Sequence, residues 1–175
     1  MPGDLTDAGF CARLVDRAVD RYGRLDVLVN AAGLIHRADA CETRDAVWQE
    51  TLDLNLSAPF YLSRAALEVM RPQRAGVIIN IASDWGLVGG ERAVAYCAAK
   101  GGLVLMTKAM ALDHAREGIR VNAICPGDTD TPMIAADLQQ QGRDVAAGRA
   151  AYAQAMPTGR MVQPEEVAAL AVFLA

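Results

Sequence analysis

Three short apolar runs rich in valine or isoleucine divide the chain: LDVLVN at 25–30, GVIINIAS at 76–83 and IRVNAICPG at 119–127. Each run is continuous, without the alternation of a half-exposed strand, which is typical of strands buried on both faces. Before each run, apolar residues recur at spacings of three and four, which predicts helices at 8–22, 45–70 and 92–117. Helices alternating with buried strands predict an α/β fold with a doubly wound parallel sheet.

The remainder of the chain, 128–175, has no comparable strand. TPMIAADLQQQG and AAGRAAYAQAMP predict two short helices. PEEVAALAVFLA predicts a third, because Pro164 and two glutamates suit a first helical turn. No repeat or low-complexity linker interrupts the pattern, so residues 1–175 are predicted to form a single domain.

Composition narrows the class of protein. The 175 residues are 53% hydrophobic, enough for a substantial core, and the net charge is -4 without a basic stripe, which argues against a nucleic-acid partner. The apolar runs are too short to span a membrane and the first residues lack a signal peptide's pattern, so a cytoplasmic protein is expected. The four cysteines are too far apart for a zinc site, and free thiols without a metal are expected.

Polar residues follow each predicted strand. Asn30 to Gly33 (NAAG) follow the first strand, Ser83 ends the second, and Pro126 and Gly127 end the third. Taken alone, each of these residues is of a type that is common in turns. Because ligands of open α/β sheets bind beyond the carboxyl ends of the strands, their joint occurrence predicts a binding site at this rim.

The segment YCAAK places Tyr96 and Lys100 four residues apart, on one face of the helix that follows the Ser83 rim. A nearby ammonium favours the phenolate and lowers the pKa of a tyrosine from its usual value of about 10. Such a pair can exchange a proton with a substrate oxygen that the Ser83 hydroxyl holds. The competing interpretation is a tyrosine that packs on the helix while the lysine extends past it to water.

Six segments are similar, in order and near spacing, to motifs of the short-chain dehydrogenase/reductase family: GDLTD, NAAG, LDLNLSAPF, NIAS, YCAAK and ICPGDTDTPM. The resemblance covers almost the whole chain. The sequence departs from the family at Ala31, where the family has a second asparagine. The resemblance implies a Rossmann-like fold and an NAD- or NADP-dependent oxidoreductase.

The resemblance also implies roles for individual residues. Tyr96 would be the general acid/base, with Lys100 lowering its pKa and binding the nicotinamide ribose. Ser83 would orient the substrate carbonyl, and Asn55 would hold a backbone carbonyl and a water in a proton relay. The residues implied to contact the cofactor are Asp4, Leu5, Asn30, Ala31, Gly33, Tyr96, Lys100, Pro126, Gly127, Thr129 and Thr131.

The family's glycine-rich turn, which binds the cofactor phosphates, does not occur in these 175 residues. By comparison with the family, the chain is expected to begin at the end of the third strand and to stop before the final strand, so an incomplete sheet is predicted. Weak or undetectable dinucleotide binding and a tendency to aggregate are expected of this polypeptide alone. The segment that selects NAD or NADP is also absent.

Two functions of different classes remain open. The first is hydride transfer between the cofactor and a ketone or secondary alcohol, with sugars, sugar acids, polyols and 3-oxoacyl compounds as candidate substrates and a homo-oligomer as the expected assembly. The second is a non-catalytic relative that acts as an interaction subunit, since four small residues would let a partner helix approach: Ala98, Ala99, Gly101 and Gly102. Serine hydrolysis is a weaker candidate because Ser83 lies outside a G-x-S-x-G motif.

The segment LIHRAD after NAAG faintly resembles members of the family that act on sugars and sugar acids. Arg37 in this segment is a candidate partner for a substrate carboxylate, although a solvated loop explains it more simply. Trp85, two residues after Ser83, is a candidate wall of the pocket, and packing on the core is the alternative.

Overall fold

A computed structural model describes all 175 residues. Its sheet has three parallel strands in the order β1-β2-β3: β1 Val27–Asn30, β2 Gly76–Ile81 and β3 Ile119–Ile124. Asn30 pairs with Asn80, and Ile81 pairs with Ile124, so the carboxyl ends of the strands lie at one edge. The predicted parallel sheet is confirmed.

Seven α-helices precede, connect or follow the strands: α1 Ala8–Tyr22, α2 Asp45–Leu52, α3 Ala58–Gln73, α4 Val94–His114, α5 Pro132–Gln140, α6 Val145–Ala155 and α7 Pro164–Leu174. Each predicted helical stretch is helical. The stretch predicted over 45–70 differs in detail, because a π-helical turn at Asp53–Ser57 separates α2 from α3. No helix combines the length and apolar character that a membrane crossing requires.

Helices cover both faces of the sheet at β2 and β3, whereas Val27 and Val29 of β1 are exposed on one face, so the expected burial of the first strand on both faces is wrong. Ile78 packs with Met70 of α3 and Met110 of α4 on one face. On the other face, Val77 and Ile79 pack with α7. Successive side chains of a strand point to opposite faces, so the continuous apolar run at 76–83 serves both layers. This is the doubly wound arrangement that the hydrophobic pattern predicts.

A chain of neutral polar side chains crosses the interior between the strands and helices. Asn30 Nδ2 donates to Ser63 Oγ at 3.2 Å and to Asn80 Oδ1 at 2.8 Å. Asn80 Nδ2 in turn donates to Thr107 Oγ1 at 2.8 Å. All four side chains are buried. Because buried polar groups are costly unless hydrogen-bonded, this polar chain fixes α3 and α4 on β1 and β2.

Candidate active site

A cavity of about 550 Å³ opens at the carboxyl edge of the sheet. Its walls include the segments that follow all three strands, and α5 and α7 contribute further lining residues. Nine of the residues predicted from the sequence line this cavity: Ala31, Gly33, Ser83, Tyr96, Lys100, Pro126, Gly127, Thr129 and Thr131. The carboxyl ends of parallel strands therefore bring these residues together as predicted.

Tyr96 and Lys100 lie near the start of α4, and both are buried. Lys100 Nζ is 5.7 Å from the centroid of the Tyr96 ring and donates a hydrogen bond to the Ile81 carbonyl at 2.8 Å. The helical spacing of four places the two side chains on one face. The end of β2 thus fixes the amine beside the phenol.

Burial is the main influence on both groups. It lowers the pKa of Lys100 to about 8. It raises the pKa of Tyr96 above its ordinary value, and a hydrogen bond with the Ser83 hydroxyl opposes part of that rise. The amine of Lys100 is directed to the Ile81 carbonyl and is not among the main influences on the Tyr96 pKa, so the role of Lys100 in lowering that pKa stays a prediction. At neutral pH the phenol therefore carries its proton.

Ser83 precedes a short 3₁₀ turn, Asp84–Gly86. Its hydroxyl accepts from the Trp85 backbone N–H at 3.2 Å and donates to Asp84 Oδ1 at 3.0 Å. The Trp85 ring meets Tyr96 edge to face, with centroids 6.2 Å apart, and lines the cavity. The hypothesis that Trp85 walls the pocket is thus confirmed.

Asn55 does not line the cavity but lies directly behind it, fully buried in the π-helical turn. Its Nδ2 donates to the carbonyls of Leu34 and Thr51, each at 2.9 Å, and its Oδ1 accepts from the Leu34 N–H at 3.2 Å. A Cβ at Gly33 would lie 2.7 Å from Asn55 Oδ1 and 3.6 Å from Lys100 Nζ. Only glycine fits between these two side chains, so Asn55 holds the NAAG loop in place.

Three other residues predicted at the cofactor do not line this cavity. The Asn30 side chain belongs to the polar chain in the core, because strand alternation turns it inward. Asp4 accepts hydrogen bonds from the backbone and hydroxyl of Thr6, which forms a local turn. Leu5 packs beside α1, where its carbonyl accepts from the Cys11 thiol at 3.2 Å.

One pair of residues at the cavity has no local sequence signal. The Arg37 guanidinium donates to both carboxylate oxygens of Asp137, each at 2.8 Å, and its Nη1 donates to the Glu91 carbonyl at 3.1 Å. It also lies over the Trp85 ring at 4.5 Å. We call Arg37 and Asp137 the roof pair, because this ion pair joins the segment that follows the NAAG motif to α5 at the cavity. The solvated loop expected around Arg37 is wrong, since the side chain is only 15% exposed.

Acidic groups outnumber basic ones in the cavity. Asp84, Asp128 and Asp137 face only two cations, Arg37 and Lys100. Burial raises the pKa of Asp128, and the charge of Asp84 raises it further. The site therefore has a negative balance at neutral pH, with one carboxylate poised closer to protonation than usual.

The backbone around Asp128 is held by a short parallel bridge. The Val162 N–H donates to the Asp128 carbonyl at 2.9 Å, and the Asp130 N–H donates to the Val162 carbonyl at 2.8 Å. Asp130 also pairs with Arg149 of α6 at 3.1 Å. The ion pair gives the Asp130 side chain a structural role, whereas the contact at Asp128 involves only its backbone.

The comparisons with known proteins agree with this geometry. The model of a family described as Enoyl-(Acyl carrier protein) reductase matches residues 1–175. L-fucose dehydrogenase of Mus musculus is 41% identical over 179 residues, covering 100% of this chain and 64% of that protein. Cis-4-hydroxycyclohexanecarboxylate dehydrogenase of Sinomonas cyclohexanicum is 39% identical over 176 residues, covering 98% of this chain and 67% of that protein.

A solved structure described as ElxO with NADP bound superposes with a TM-score of 0.89 at 27% identity, covering 99% of this chain and 68% of that one. The chain thus spans about two thirds of the length of these proteins, and 64% of the fucose dehydrogenase. The family match over the whole chain agrees with the motif order and with the cavity at the strand ends. The chain belongs to the short-chain dehydrogenase/reductase family.

Proposed function

We propose that the protein is an NAD- or NADP-dependent oxidoreductase that interconverts a secondary alcohol and a ketone. The observation that carries the proposal is the convergence of Ser83, Tyr96 and Lys100 on one cavity, with all three side chains buried. Removing a phenol and an amine from water is costly, and groups with shifted pKa values in a cleft are typical of catalytic sites. The named activities of the relatives support the same reaction class.

The cavity fits the nicotinamide end of such a cofactor. Gly33 and Gly127 line the cavity together with Lys100 and Ser83 and add no side chain to it, and Thr129 and Thr131 add hydroxyl groups to the lining. The solved relative with bound NADP supports a dinucleotide. When bound, the cofactor supplies or accepts the hydride, and the protein supplies position and a proton. The phosphate-binding turn of the family is not among these 175 residues.

Each buried side chain then has a chemical role. Tyr96, protonated at neutral pH, donates its proton to the ketone oxygen in the direction of reduction. The Ser83 hydroxyl, positioned by the Trp85 N–H, donates to the same oxygen when substrate is bound, by turning its single proton away from Asp84. Lys100 stabilises the phenolate that remains, because its charge lies in a site from which water is excluded. Asn55 keeps the NAAG loop in position through the Leu34 backbone.

The test uses the native protein, in the form in which the cell produces it. It is assayed with NAD and NADP against hexoses, polyols, hexuronic acids, hydroxylated cyclohexanes and 3-oxoacyl esters, following absorbance of the reduced nicotinamide. With the best substrate, Tyr96→Phe is expected to lower kcat by roughly 10²–10⁴, the usual contribution of a general acid. Tyr22→Phe, an exposed tyrosine on α1, is the control and should leave kcat unchanged. Equal rates in wild type and Tyr96→Phe would refute the assignment.

The alternative, a non-catalytic interaction subunit, receives no support from α4. Ala99 is fully buried, and a Cβ at Gly102 would lie 3.0 Å from the Leu56 side chain. A Cβ at Gly101 would meet the Gly86 carbonyl at 3.6 Å. Ala99, Gly101 and Gly102 therefore serve contacts within the chain, whereas Ala98, the fourth small residue, is exposed. A homo-oligomer stays a prediction that sedimentation of the native protein tests.

A further inference from the structure

The guanidinium of Arg37 has no free donor pair for a ligand. Nε and Nη2 donate to the two carboxylate oxygens of Asp137, and Nη1 donates to the Glu91 carbonyl. The Tyr152 hydroxyl of α6 donates to Asp137 at 3.3 Å and also lies 3.4 Å from Arg37 Nη2. The forked geometry that makes arginine a good receptor for carboxylates is therefore occupied by the protein's own carboxylate.

The roof pair lies in the cavity and close to the catalytic group. Arg37 and Asp137 both line the cavity, and Asp137 is only 2% exposed. Arg37 stacks on Trp85, and Trp85 meets Tyr96 edge to face. A substrate that reaches the phenol therefore passes within the field of this pair. The group that is hydrogen-bonded to the Arg37 guanidinium therefore decides which charge such a substrate can carry.

A substrate carboxylate in this cavity would add a negative charge to a site in which three aspartates already outnumber two cations. Its natural receptor, Arg37, is engaged by Asp137, and Lys100 donates to Ile81. Like charges repel one another strongly in a partly buried site, whereas a neutral hydroxyl can donate to the free oxygens of the aspartates. The arrangement penalises anions and accepts hydroxyl groups.

We propose that Asp137 is a specificity-determining residue: by occupying Arg37 it excludes substrates with a carboxylate near the reacting carbon and restricts the enzyme to neutral, hydroxylated substrates. The inference rests on the proposed function and narrows its substrate class. The named substrates of the two relatives, a neutral sugar and a carboxylate, leave this choice open. The roof pair supplies the physical reason to favour the neutral class.

The kinetic test compares two matched pairs: a hexose with its hexuronic acid, and cis-4-hydroxycyclohexanecarboxylate with its hydroxymethyl counterpart. Wild-type native protein should prefer the neutral member in kcat/KM by at least about tenfold, equivalent to roughly 1.4 kcal/mol. Asp137→Asn should raise the acid-to-neutral ratio of kcat/KM by about 10–100-fold, since a neutral amide oxygen holds the guanidinium more weakly than a carboxylate does and a substrate carboxylate can displace it. A wild-type preference for the acid member would overturn the proposal by itself.

The matched control is Asp128→Asn, which removes the same charge from the same cavity without releasing Arg37, because no hydrogen bond joins the two residues. The acid-to-neutral ratio should change little in this control. The gain in Asp137→Asn should also vanish when Arg37→Gln is added. Equal gains in Asp137→Asn and Asp128→Asn would show that net charge alone selects the substrate, and the specific role of the roof pair would be abandoned.

A second readout does not depend on catalysis. In a Trp48→Phe background, Trp85 is the remaining tryptophan, and Arg37 stacks on it. Acetate, titrated at ionic strength held constant with sodium chloride, should change the Trp85 emission of Asp137→Asn and leave that of the Asp137 parent unchanged. Acetate binding to the Asp137 parent, or none to a folded Asp137→Asn, would overturn the proposal. If the binding result holds and no substrate is found, the proposed oxidoreductase activity fails instead.

Discussion

The polar chain below the cavity and the roof pair above it are held by different kinds of interaction. Ser63, Asn30, Asn80 and Thr107 are neutral and hydrogen-bond one another at the interface of sheet and helices, with only Asn30 Oδ1 left without a partner. The roof pair is charged, joins residues that are 100 positions apart in the chain, and lines the cavity. The polar chain fixes the ends of the strands, and the roof pair controls which ligand the cavity accepts.

The difference separates stability from selectivity. A buried neutral hydrogen bond contributes about 1 kcal/mol and responds little to salt or pH. A buried ion pair gains little net stability over an apolar pair, because desolvation offsets the attraction, but removing one partner is costly. We therefore expect damage to the polar chain to appear mainly in unfolding, and damage to the roof pair mainly in binding and salt response.

The largest effect is expected for Asn80→Leu, at the centre of the polar chain. The change removes the shorter hydrogen bond of Asn30 Nδ2, which keeps only Ser63 Oγ, and the bond that Thr107 Oγ1 accepts, which leaves that hydroxyl only its bond to the Leu103 carbonyl. Each lost buried hydrogen bond costs about 1–1.5 kcal/mol, and a branched apolar side chain does not fit a planar amide's site, so the free energy of unfolding should fall by roughly 2–3 kcal/mol. Urea denaturation followed by circular dichroism measures it. A loss below about 1 kcal/mol would mean that the polar chain does not organise the sheet.

The residues that act through local spacing were predictable from the sequence. Tyr96 and Lys100 are four apart on a helix, and Ser83 and Gly127 follow apolar runs that end at one edge of a parallel sheet. Strand period and helix period are enough to place them together. Asn30 shows the limit of this reasoning, because its position at the rim was predicted while its side chain points into the core.

The residues that act through distant partners were not predictable. Nothing near Arg37 indicates Asp137, since the contact requires α5 to fold over the cavity. The π-helical turn at Asp53–Ser57 is equally hidden, because its sequence continues the helical pattern on both sides. It places Asn55 against the Leu34 backbone, a contact that depends on the loop after β1. Tertiary packing, not local propensity, decides both features.

The second prediction concerns pH and the buried amine. Burial lowers the pKa of Lys100 to about 8, below that of an unfolded lysine. Between these values the unfolded state binds more protons, so the stability contributed by this group rises with pH across the interval and, as pH falls, is lost progressively until about pH 8. Relative to Lys100→Met, wild type should gain roughly 2 kcal/mol between about pH 8 and pH 10. Urea melts across that range measure the difference.

Lys108→Met provides the control for this experiment. Lys108 lies on the same helix and is exposed, so its replacement should leave the pH dependence of stability unchanged. A flat difference between wild type and Lys100→Met over the same range would show that the amine titrates as it does in water. The assignment of Lys100 to a dry site beside Tyr96 would then be withdrawn.

A smaller effect is expected for Arg37→Lys, which keeps the charge of the roof pair but loses the fork and the stacking on Trp85. The free energy of unfolding should fall by about 1–2 kcal/mol, with a stronger dependence on salt than in wild type. Arg24→Lys, in an exposed pair with Asp26, should be indistinguishable from wild type. Equal behaviour of the two variants would reduce the roof pair to a surface contact.

The smallest effect is expected for Ser63→Ala, at the end of the polar chain. Ser63 Oγ accepts only from Asn30 Nδ2, which keeps its shorter bond to Asn80, so a loss of about 1 kcal/mol is expected. In a double-mutant cycle with Asn80→Leu, the double variant should lose more stability than the sum of the two single variants, because Asn30 Nδ2 then loses both acceptors. Additive losses in urea melts would mean that the two bonds stabilise the sheet independently, and that the polar chain is a set of separate contacts.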